Sequence, residues 1–221
     1  MTVKIENKSF MASNLKSDIV ITDPPYNIGF KYNFYQDRMS DDCYIEMLRF
    51  MKDIAPKLVV IHYPEETMRY VVPALGVPSK CVAWCYSSNT PRAFRLINFF
   101  GFEPDLTRVK QPYKNPTDKR VAKLIDDGSQ GASIYDWFDD IQLVKNVSQE
   151  KTAHPCPIPL SLAERIIALS TNEGETVCDP FMGSGTVGEA AAMLKRNFVG
   201  TEIDPLYFGI AQKRLEGIFT W

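Results

Sequence analysis

The chain has 221 residues, 45% of them apolar, with a formal net charge of −2 and a pI near 5.8. This length and composition suffice for one domain with a small appended lobe, and they argue against two full domains. The near-neutral charge excludes a protein that is basic throughout, although a local basic patch for nucleic acid remains compatible with it.

The residue composition and the first residues of the chain bear on its location and on metal binding. The five cysteines are odd in number and contain no CxxC pair, which indicates reduced thiols. Two histidines are too few to suggest a zinc site. The first residues lack the apolar core of a signal peptide, and no apolar run reaches membrane-spanning length. We therefore expect a cytoplasmic location, no metal and no membrane partner.

In the first part of the chain, a short apolar run at 18–22 predicts a buried strand. Aromatic side chains in residues 28–40 follow no regular period, which predicts a loop over a ligand site. Ser40 offers an N-cap to the helix that follows. The other elements predicted here are a strand at 3–6, a loop or short helix at 9–16, a helix at 42–54, a strand at 57–62, a short helix at 64–72 and a strand at 80–86.

The predicted strand at 18–22 runs directly into Asp23, Pro24, Pro25 and Tyr26. Proline has no N–H and a fixed φ, so the two prolines end the strand in a rigid turn. In an open α/β sheet, ligands bind at the carboxyl ends of the strands. A carboxylate beside an aromatic ring suits a flat ligand that bears an exocyclic amine. A plain strand followed by an Asp-Pro turn is the alternative interpretation.

Residues 87–150 differ in character from their surroundings and predict a small inserted lobe. From residue 80 to residue 123, nine cationic side chains stand against three acidic ones. Two interpretations of this basic segment stay open, namely solvated surface and contact with nucleic-acid phosphates. The candidate phosphate-binding residues are Arg92, Arg95, Arg108, Lys110 and Lys114.

The last third of the chain alternates strands and helices, which predicts a parallel α/β unit. Its predicted elements are a helix at 159–170, a strand at 176–179, a glycine loop at 180–185, a helix at 186–195, a strand at 198–203 and a helix at 205–215.

The glycine loop matches GxGxxG from Gly183 to Gly188, and Glu202 ends the next predicted strand. Glycines let a ligand approach the backbone, and the acid accepts hydrogen bonds from ribose hydroxyls. The spacing therefore predicts a nucleoside-bearing cofactor. Asp179, at the end of the preceding strand, would repel a pyrophosphate but would pair with an ammonium group, which favours S-adenosylmethionine over NAD.

Four segments in this order resemble the DNA amino-methyltransferases, whose products are N6-methyladenine or N4-methylcytosine. The segments are 23–27, 151–155 with Pro157 and Pro159, 179–186, and 196–204 with Tyr207 and Arg214. The catalytic motif precedes the glycine loop, as in the permuted β class of that family. Many relatives carry an Asp shortly before the catalytic strand, where this chain has Asn7-Lys8-Ser9.

The resemblance implies an α/β, Rossmann-like class I methyltransferase fold with a central, mostly parallel sheet and a circularly permuted motif order. The catalytic, cofactor-binding domain would comprise residues 1–86 and 151–221. The insertion at 87–150 would be a small target-recognition lobe. Double-stranded DNA is the implied partner, with a homodimer or a second subunit as further possibilities.

The resemblance also implies site roles. Asp23 and the Pro24 carbonyl would accept the amino hydrogens of a flipped-out base, Pro25 would complete the motif, and Tyr26 would stack on the ring. The implied cofactor-binding residues are Lys151, His154, Asp179, Phe181, Gly183, Ser184, Gly185, Thr186 and Glu202. For His154 a structural role, and for Phe181 a core position, stay open as alternatives.

The expected activity is methyl transfer to N6 of adenine in DNA. N4 of cytosine is the alternative, and it is less favoured because that branch often has Ser in place of Asp23. An RNA methyltransferase and a catalytically silent nucleic-acid-binding subunit are further alternatives.

Overall fold

The computed structural model describes residues 1–144 and 157–218. Its strands are β1 (Val3–Asn7), β2 (Ile19–Thr22), β3 (Lys57–His62), β4 (Lys80–Cys85), β5 (Phe94–Phe100), β6 (Lys110–Gln111), β7 (Ala132–Ser133), β8 (Trp137–Phe138), β9 (Thr176–Asp179) and β10 (Asn197–Glu202). Its α-helices are α1 (Asp41–Arg49), α2 (Pro64–Glu66), α3 (Val72–Leu75), α4 (Lys119–Asp126), α5 (Leu160–Ser170), α6 (Thr186–Met193) and α7 (Pro205–Glu216). In the described ranges, no helix has both the length and the apolar character needed to cross a membrane.

Eight of the strands form one sheet in the order β1-β10-β9-β2-β3-β5-β4-β8, and β6 pairs with β7 separately. Strand β5 runs antiparallel to β3 and β4, and the other pairs of the large sheet are parallel. Parallel strands need covering layers on both faces of the sheet, and helices lie on both faces here. This arrangement confirms the predicted α/β, Rossmann-like fold with a mostly parallel sheet.

The central strand β2 contributes side chains to the apolar clusters on both faces of the sheet. Ile19 and Ile21 belong to the apolar cluster that contains residues of α5 and α6. Val20 points to the opposite face and joins the cluster that contains residues of α1 and α3. All three side chains are fully buried, as expected for a strand with helices on both sides.

Most predicted elements are present, with ends displaced by a few residues. The helix predicted at 42–54 is α-helical to Arg49 and continues as the 3₁₀ turn Phe50–Asp53. Ser40 is its N-cap, because its hydroxyl accepts a hydrogen bond from the backbone N–H of Cys43. The helix predicted at 64–72 contains a π-helical stretch, Thr67–Val71, between α2 and α3.

Strand β5 is absent from the predicted elements. It lies within residues 87–150 and belongs to the large sheet. It lies between β3 and β4 in the large sheet, and β8 extends the same sheet beyond β4. Its last four residues are all buried, so its sequence lacks the alternation that marks a half-exposed strand. The predicted boundary at residue 87 therefore does not separate the inserted segment from the sheet. The role of this segment in target recognition stays a prediction.

Candidate active site

The parallel strands β2, β3, β9 and β10 end at one edge of the sheet, where residues from all four line a pair of cavities. Asp23 follows β2, Tyr63 follows β3, and Asp179 and Glu202 end β9 and β10. Asp23, Tyr63 and Glu202 line a cavity of about 290 Å³. Asp23 and Asp179 line a smaller one of about 40 Å³. The Asp23 carboxylate is thus shared by both cavities.

The Asp23 carboxylate has one contact at each oxygen. The Tyr26 hydroxyl donates a hydrogen bond to Oδ1, and Nη1 of Arg95 lies 3.4 Å from Oδ2. Burial raises the pKa of Asp23, and the smaller opposing effects come from Arg95 and the Tyr26 hydrogen bond. A carboxylate has about four lone-pair sites, so Asp23 can accept a further hydrogen bond from a ligand.

The Tyr26 ring is packed inside the site and is only 8% exposed. It stacks on His62 with ring centroids 4.2 Å apart and planes inclined by 24°. Tyr63 meets it edge to face at 5.1 Å. The predicted stacking of Tyr26 on a base would therefore need the ring face that His62 leaves uncovered.

A relay of two buried polar side chains, His62 and Tyr44, supports the turn that follows β2. Nδ1 of His62 accepts from the backbone N–H of Tyr63 at 3.1 Å, so the hydrogen of the neutral ring is on Nε2. Nε2 lies 3.1 Å from the Tyr44 hydroxyl, which donates to the carbonyl oxygen of Pro25. Burial lowers the pKa of His62 to about 3, with a further contribution from two nearby arginines. His62 is therefore neutral at physiological pH.

Arg95 lies within this site, although the sequence suggested a surface cation that contacts phosphates. Its guanidinium carbon is 5.3 Å from the ring centroids of Tyr63 and Trp84 and 5.7 Å from that of Tyr86. The side chain is 11% exposed. A side chain enclosed in this way cannot meet the phosphates of a duplex on the surface, so this placement differs from the prediction.

Arg92 lies close to the same edge and is more exposed than Arg95. It pairs with the buried carboxylate of Glu66 at 2.9 Å, and its guanidinium carbon is 4.6 Å from the Tyr63 ring centroid. These contacts hold a cation beside Tyr63, which lines the larger cavity, and phosphate contact by Arg92 stays a prediction.

The remaining predicted cations make contacts of their own, and their part in phosphate binding stays a prediction. Arg108 donates to the carbonyl oxygen of Thr171 at 2.6 Å. Thr171 precedes the start of β9, so Arg108 lies at the edge of the sheet opposite Asp23. Lys110 is in β6, and the Lys114 ammonium lies 4.9 Å from the ring centroid of Tyr135.

Glu202 fixes the glycine loop between β9 and α6. Its Oε2 accepts from the backbone N–H of Gly183 at 2.9 Å and its Oε1 from that of Asp204 at 2.8 Å. Gly183 and Gly185 have φ values of 51° and 82°, a region that favours glycine. Burial raises the pKa of Glu202, and the two backbone hydrogen bonds oppose this with smaller effects. Each carboxylate oxygen retains acceptor capacity for a ligand hydroxyl.

Asp179 is almost completely buried beneath the same loop. Its Oδ1 accepts from the Thr22 hydroxyl at 2.6 Å and from the Phe181 backbone N–H at 3.1 Å. Burial nevertheless raises the pKa of Asp179 to about 7. A buried carboxyl that titrates near neutrality can be stabilised in its ionised form by a cationic ligand group.

Phe181, Ser184 and Thr186 all face the cavities. Phe181 lines both of them and packs edge to face on Phe10, with centroids 5.0 Å apart, so it is an apolar wall of the site. Ser184 and Thr186 are buried and line the smaller cavity. The Thr186 hydroxyl also accepts from Nη1 of Arg214 at 2.7 Å.

The larger cavity is also lined by residues that the sequence patterns did not indicate. Phe10 and Tyr63 line the larger cavity. Both follow parallel strands at the ligand-binding edge, a signal that would have indicated them. Lys151 and His154 lie outside the described residues.

The predicted loop over the site is present. Buried Asp37 holds it by accepting the backbone N–H groups of Asn27 at 2.7 Å and Ile28 at 3.1 Å. Nδ2 of Asn33 donates to Oδ2 of Asp204 at 3.2 Å. The loop that follows the Pro24–Pro25 turn is thus tied to the start of α7, across the larger cavity.

The sequence of this chain is similar to those of known DNA methyltransferases. A model of the DNA methylase family (N6_N4_Mtase) matches residues 74–213. The DNA adenine methyltransferase YhdJ of Escherichia coli K12 is 29% identical over 229 residues, which cover 90% of this chain and 76% of YhdJ.

Solved structures agree with this comparison. The M1.HpyAVI–SAM complex is 25% identical with a TM-score of 0.64, covering 97% of this chain and 99% of its own. The cytosine-N4-specific PvuII DNA methyltransferase is 17% identical with a TM-score of 0.69, covering 97% and 86% of the two chains. At that identity, the likeness concerns the fold alone.

Proposed function

Because this chain belongs to the DNA methylase family, we propose that it transfers a methyl group from S-adenosyl-L-methionine to the exocyclic N6 of adenine in DNA. The observation that carries the proposal is the position of Asp23, which lines both the cavity containing Glu202 and the cavity containing Asp179. An amino group held by Asp23 would therefore adjoin the cofactor region of the site.

The residues of the site fit S-adenosylmethionine. Asp179 is buried and can pair with the methionyl ammonium, Glu202 has spare acceptor sites for ribose hydroxyls, and Phe181 offers an apolar wall for a ring. M1.HpyAVI, which shares this fold, has been solved with SAM bound. When bound, the cofactor supplies an electrophilic methyl group on a sulfonium centre.

The task of the protein is to activate a poor nucleophile. The lone pair of an exocyclic amine is delocalised into the ring, which makes the nitrogen weakly nucleophilic. Asp23 accepts one amino hydrogen and the Pro24 carbonyl accepts the other, which favours a more tetrahedral nitrogen. Burial raises the pKa of Asp23, so this carboxylate is suited to take the proton that the amine loses. Positioning of this kind can supply about 7–11 kcal/mol of the rate enhancement.

The target base must leave the duplex to reach Asp23. Flipping costs a few kcal/mol, and stacking on an aromatic ring such as Tyr26 returns about 1–3 kcal/mol. Adenine is favoured over cytosine because position 23 is Asp, and because the relative YhdJ is an adenine methyltransferase.

Product identification tests the proposal directly. The protein is incubated with labelled S-adenosylmethionine and unmethylated double-stranded DNA of mixed sequence, and the DNA is digested to nucleosides for mass analysis. N6-methyldeoxyadenosine is the expected product. N4-methyldeoxycytidine would retain the mechanism and replace the target base. Absence of any methylated nucleoside, when cofactor binding is demonstrable, would contradict the proposal.

Asp23→Ala provides the matched test of the mechanism. We expect it to abolish methyl transfer and to leave S-adenosylmethionine binding measurable, because Asp23 acts on the base. Asp126→Ala removes an exposed carboxylate at the end of α4 and serves as the control with normal turnover. Turnover by Asp23→Ala close to that of the control would refute the assignment.

A further inference from the structure

The Arg95 guanidinium faces the Asp23 carboxylate from β5 and has hydrogen-bonding capacity to spare. The separation of 3.4 Å between Nη1 and Asp23 Oδ2 exceeds the roughly 2.7–2.9 Å of a strong charged hydrogen bond. Nε of Arg95 is buried and has no hydrogen-bond partner among residues 1–144 and 157–218. Buried donors without acceptors cost free energy, so this group indicates an acceptor that arrives with a ligand.

Aromatic rings surround the guanidinium without supplying a hydrogen-bond acceptor to Nε. The guanidinium carbon lies 5.3–5.7 Å from the ring centroids of Tyr26, Tyr63, Trp84 and Tyr86. Ring faces attract a cation, but they do not replace an oxygen or nitrogen acceptor in the guanidinium plane. The charge is thereby confined to the catalytic pocket, which Arg95 and Asp23 line together.

We propose that Asp23 and Arg95 read the Watson–Crick edge of the flipped base as a pair. Asp23 accepts a hydrogen from the exocyclic amine, and Arg95 donates to the neighbouring ring nitrogen, which is N1 in adenine. This inference rests on the proposed function and deepens it, because it names the contact by which the site selects its substrate base.

The Asp23 and Arg95 contacts together would select amino bases over keto bases. Adenine presents an amino donor beside a ring-nitrogen acceptor, and cytosine presents the same order at N4 and N3. Guanine and thymine present a carbonyl acceptor beside an N–H donor. A keto base would therefore set its carbonyl oxygen against Asp23 and its N–H against Arg95. Mismatched polar groups in a buried site are rejected strongly, so the pair admits amino bases and excludes keto bases.

A double-mutant cycle tests the contact between Arg95 and N1 of adenine by changing the protein, the base or both. Wild-type protein and Arg95→Met are assayed on duplexes that carry either adenine or 1-deazaadenine at the methylated position. The analogue keeps the amino group and replaces N1 with C–H. We expect this replacement to lower wild-type kcat/KM by about 10–100-fold, the range for a charged hydrogen bond, and to change Arg95→Met by less than about threefold. Intrinsic differences in amine reactivity affect both proteins equally and cancel in the cycle.

Arg92→Met is the matched control, because Arg92 lies beside the pocket and is paired with Glu66. Whatever its overall activity, this variant should retain the full sensitivity to loss of N1. If Arg95→Met does not fold, Arg95→Lys replaces it. The lysine keeps the charge without the planar donors, so its sensitivity should fall below that of the wild type.

The outcomes separate this inference from the function on which it rests. Equal sensitivity to N1 removal in the wild type and the Arg95 variant would overturn the proposed contact while leaving adenine methylation intact. If the wild type methylates cytosine, 3-deazacytosine replaces the analogue and the same comparison decides. Failure of the wild type to methylate any duplex would overturn the proposed function and this inference with it.

Discussion

The hydroxyl of Tyr44 lies 3.1 Å from Nε2 of His62 and also donates to the carbonyl oxygen of Pro25. Helix α1 and strand β3 therefore jointly hold a carbonyl within the turn that follows β2. The relay is uncharged, since burial lowers the pKa of His62 to about 3.

Tyr44→Phe should weaken catalysis without a comparable loss of cofactor binding. The change leaves the Pro25 carbonyl and Nε2 of His62 without their Tyr44 partner in a buried site, a cost of about 1–3 kcal/mol. We expect kcat to fall roughly 5- to 100-fold if that cost appears in the transition state. Steady-state kinetics and cofactor titration measure the two effects. Tyr70→Phe, which removes a hydroxyl bonded to Asp41, is the control. Equal kcat values in the two variants would contradict a role for the relay.

Asp179 should make the stability of the cofactor-free protein depend on pH. Burial raises its pKa from 3.8 to about 7, so the folded state binds the proton more tightly than the unfolded chain. The associated stability is full below about pH 4 and is lost as the pH rises through about 7. Between about pH 5 and pH 8, the Tm of the wild type should decline relative to that of Asp179→Asn. Thermal denaturation profiles that run parallel for the two proteins would exclude this effect.

The same titration predicts a pH dependence of cofactor binding. If Asp179 pairs with the methionyl ammonium, binding requires its ionised form. The affinity for S-adenosylmethionine should therefore rise as the pH increases from about 6 to about 7.5, below the roughly 7.7–8.0 at which an α-amino group titrates. Calorimetric titration at several pH values measures this, and Asp179→Asn should bind more weakly with a flatter profile. A wild-type affinity that does not change over this range would argue against the pairing.

Glu202→Gln should weaken cofactor binding. The substitution removes the charge and replaces one acceptor oxygen with a donor NH₂ group, next to backbone N–H groups of Gly183 and Asp204. Hydrogen bonds to a charged group contribute about 1.5–3 kcal/mol, so the Kd for S-adenosylmethionine should rise about 10- to 100-fold. Glu216→Gln, at the exposed end of α7, is the control. Similar Kd values for the two variants would remove Glu202 from the cofactor site.

Gly188→Ala and Gly209→Ala should change stability in opposite directions. A Cβ at Gly188 would lie 2.8 Å from the Phe198 ring and 3.0 Å from Leu215, whereas a Cβ at Gly209 meets nothing within 4 Å. Overpacking at Gly188 should cost about 1–3 kcal/mol, and Gly209→Ala should gain about 0.4–1 kcal/mol by restricting the unfolded chain. Urea denaturation of both variants measures the difference. Wild-type stability in Gly188→Ala would show that close packing of α6 on β10 is not required.

Elements that have a local cause could be predicted from the sequence alone. Two prolines after Thr22 end a strand because of their own backbone chemistry. Gly183 and Gly185 predict a turn because few other residues adopt positive φ, and both have it. These signals involve neighbouring residues, so they could be interpreted before any long-range contact was known.

The residues that complete the pocket depend instead on contacts between distant parts of the chain. Arg95 is one cation among nine in its segment, and nothing local separates it from Arg108. It enters the site because β5 inserts between β3 and β4, whereas Arg108 lies at the opposite edge of the sheet. Strand order is set by burial and pairing between residues far apart in sequence, and no local pattern encodes it. The rigid turn after Asp23 was therefore predictable, and the contact of the Asp23 carboxylate with Arg95 was not.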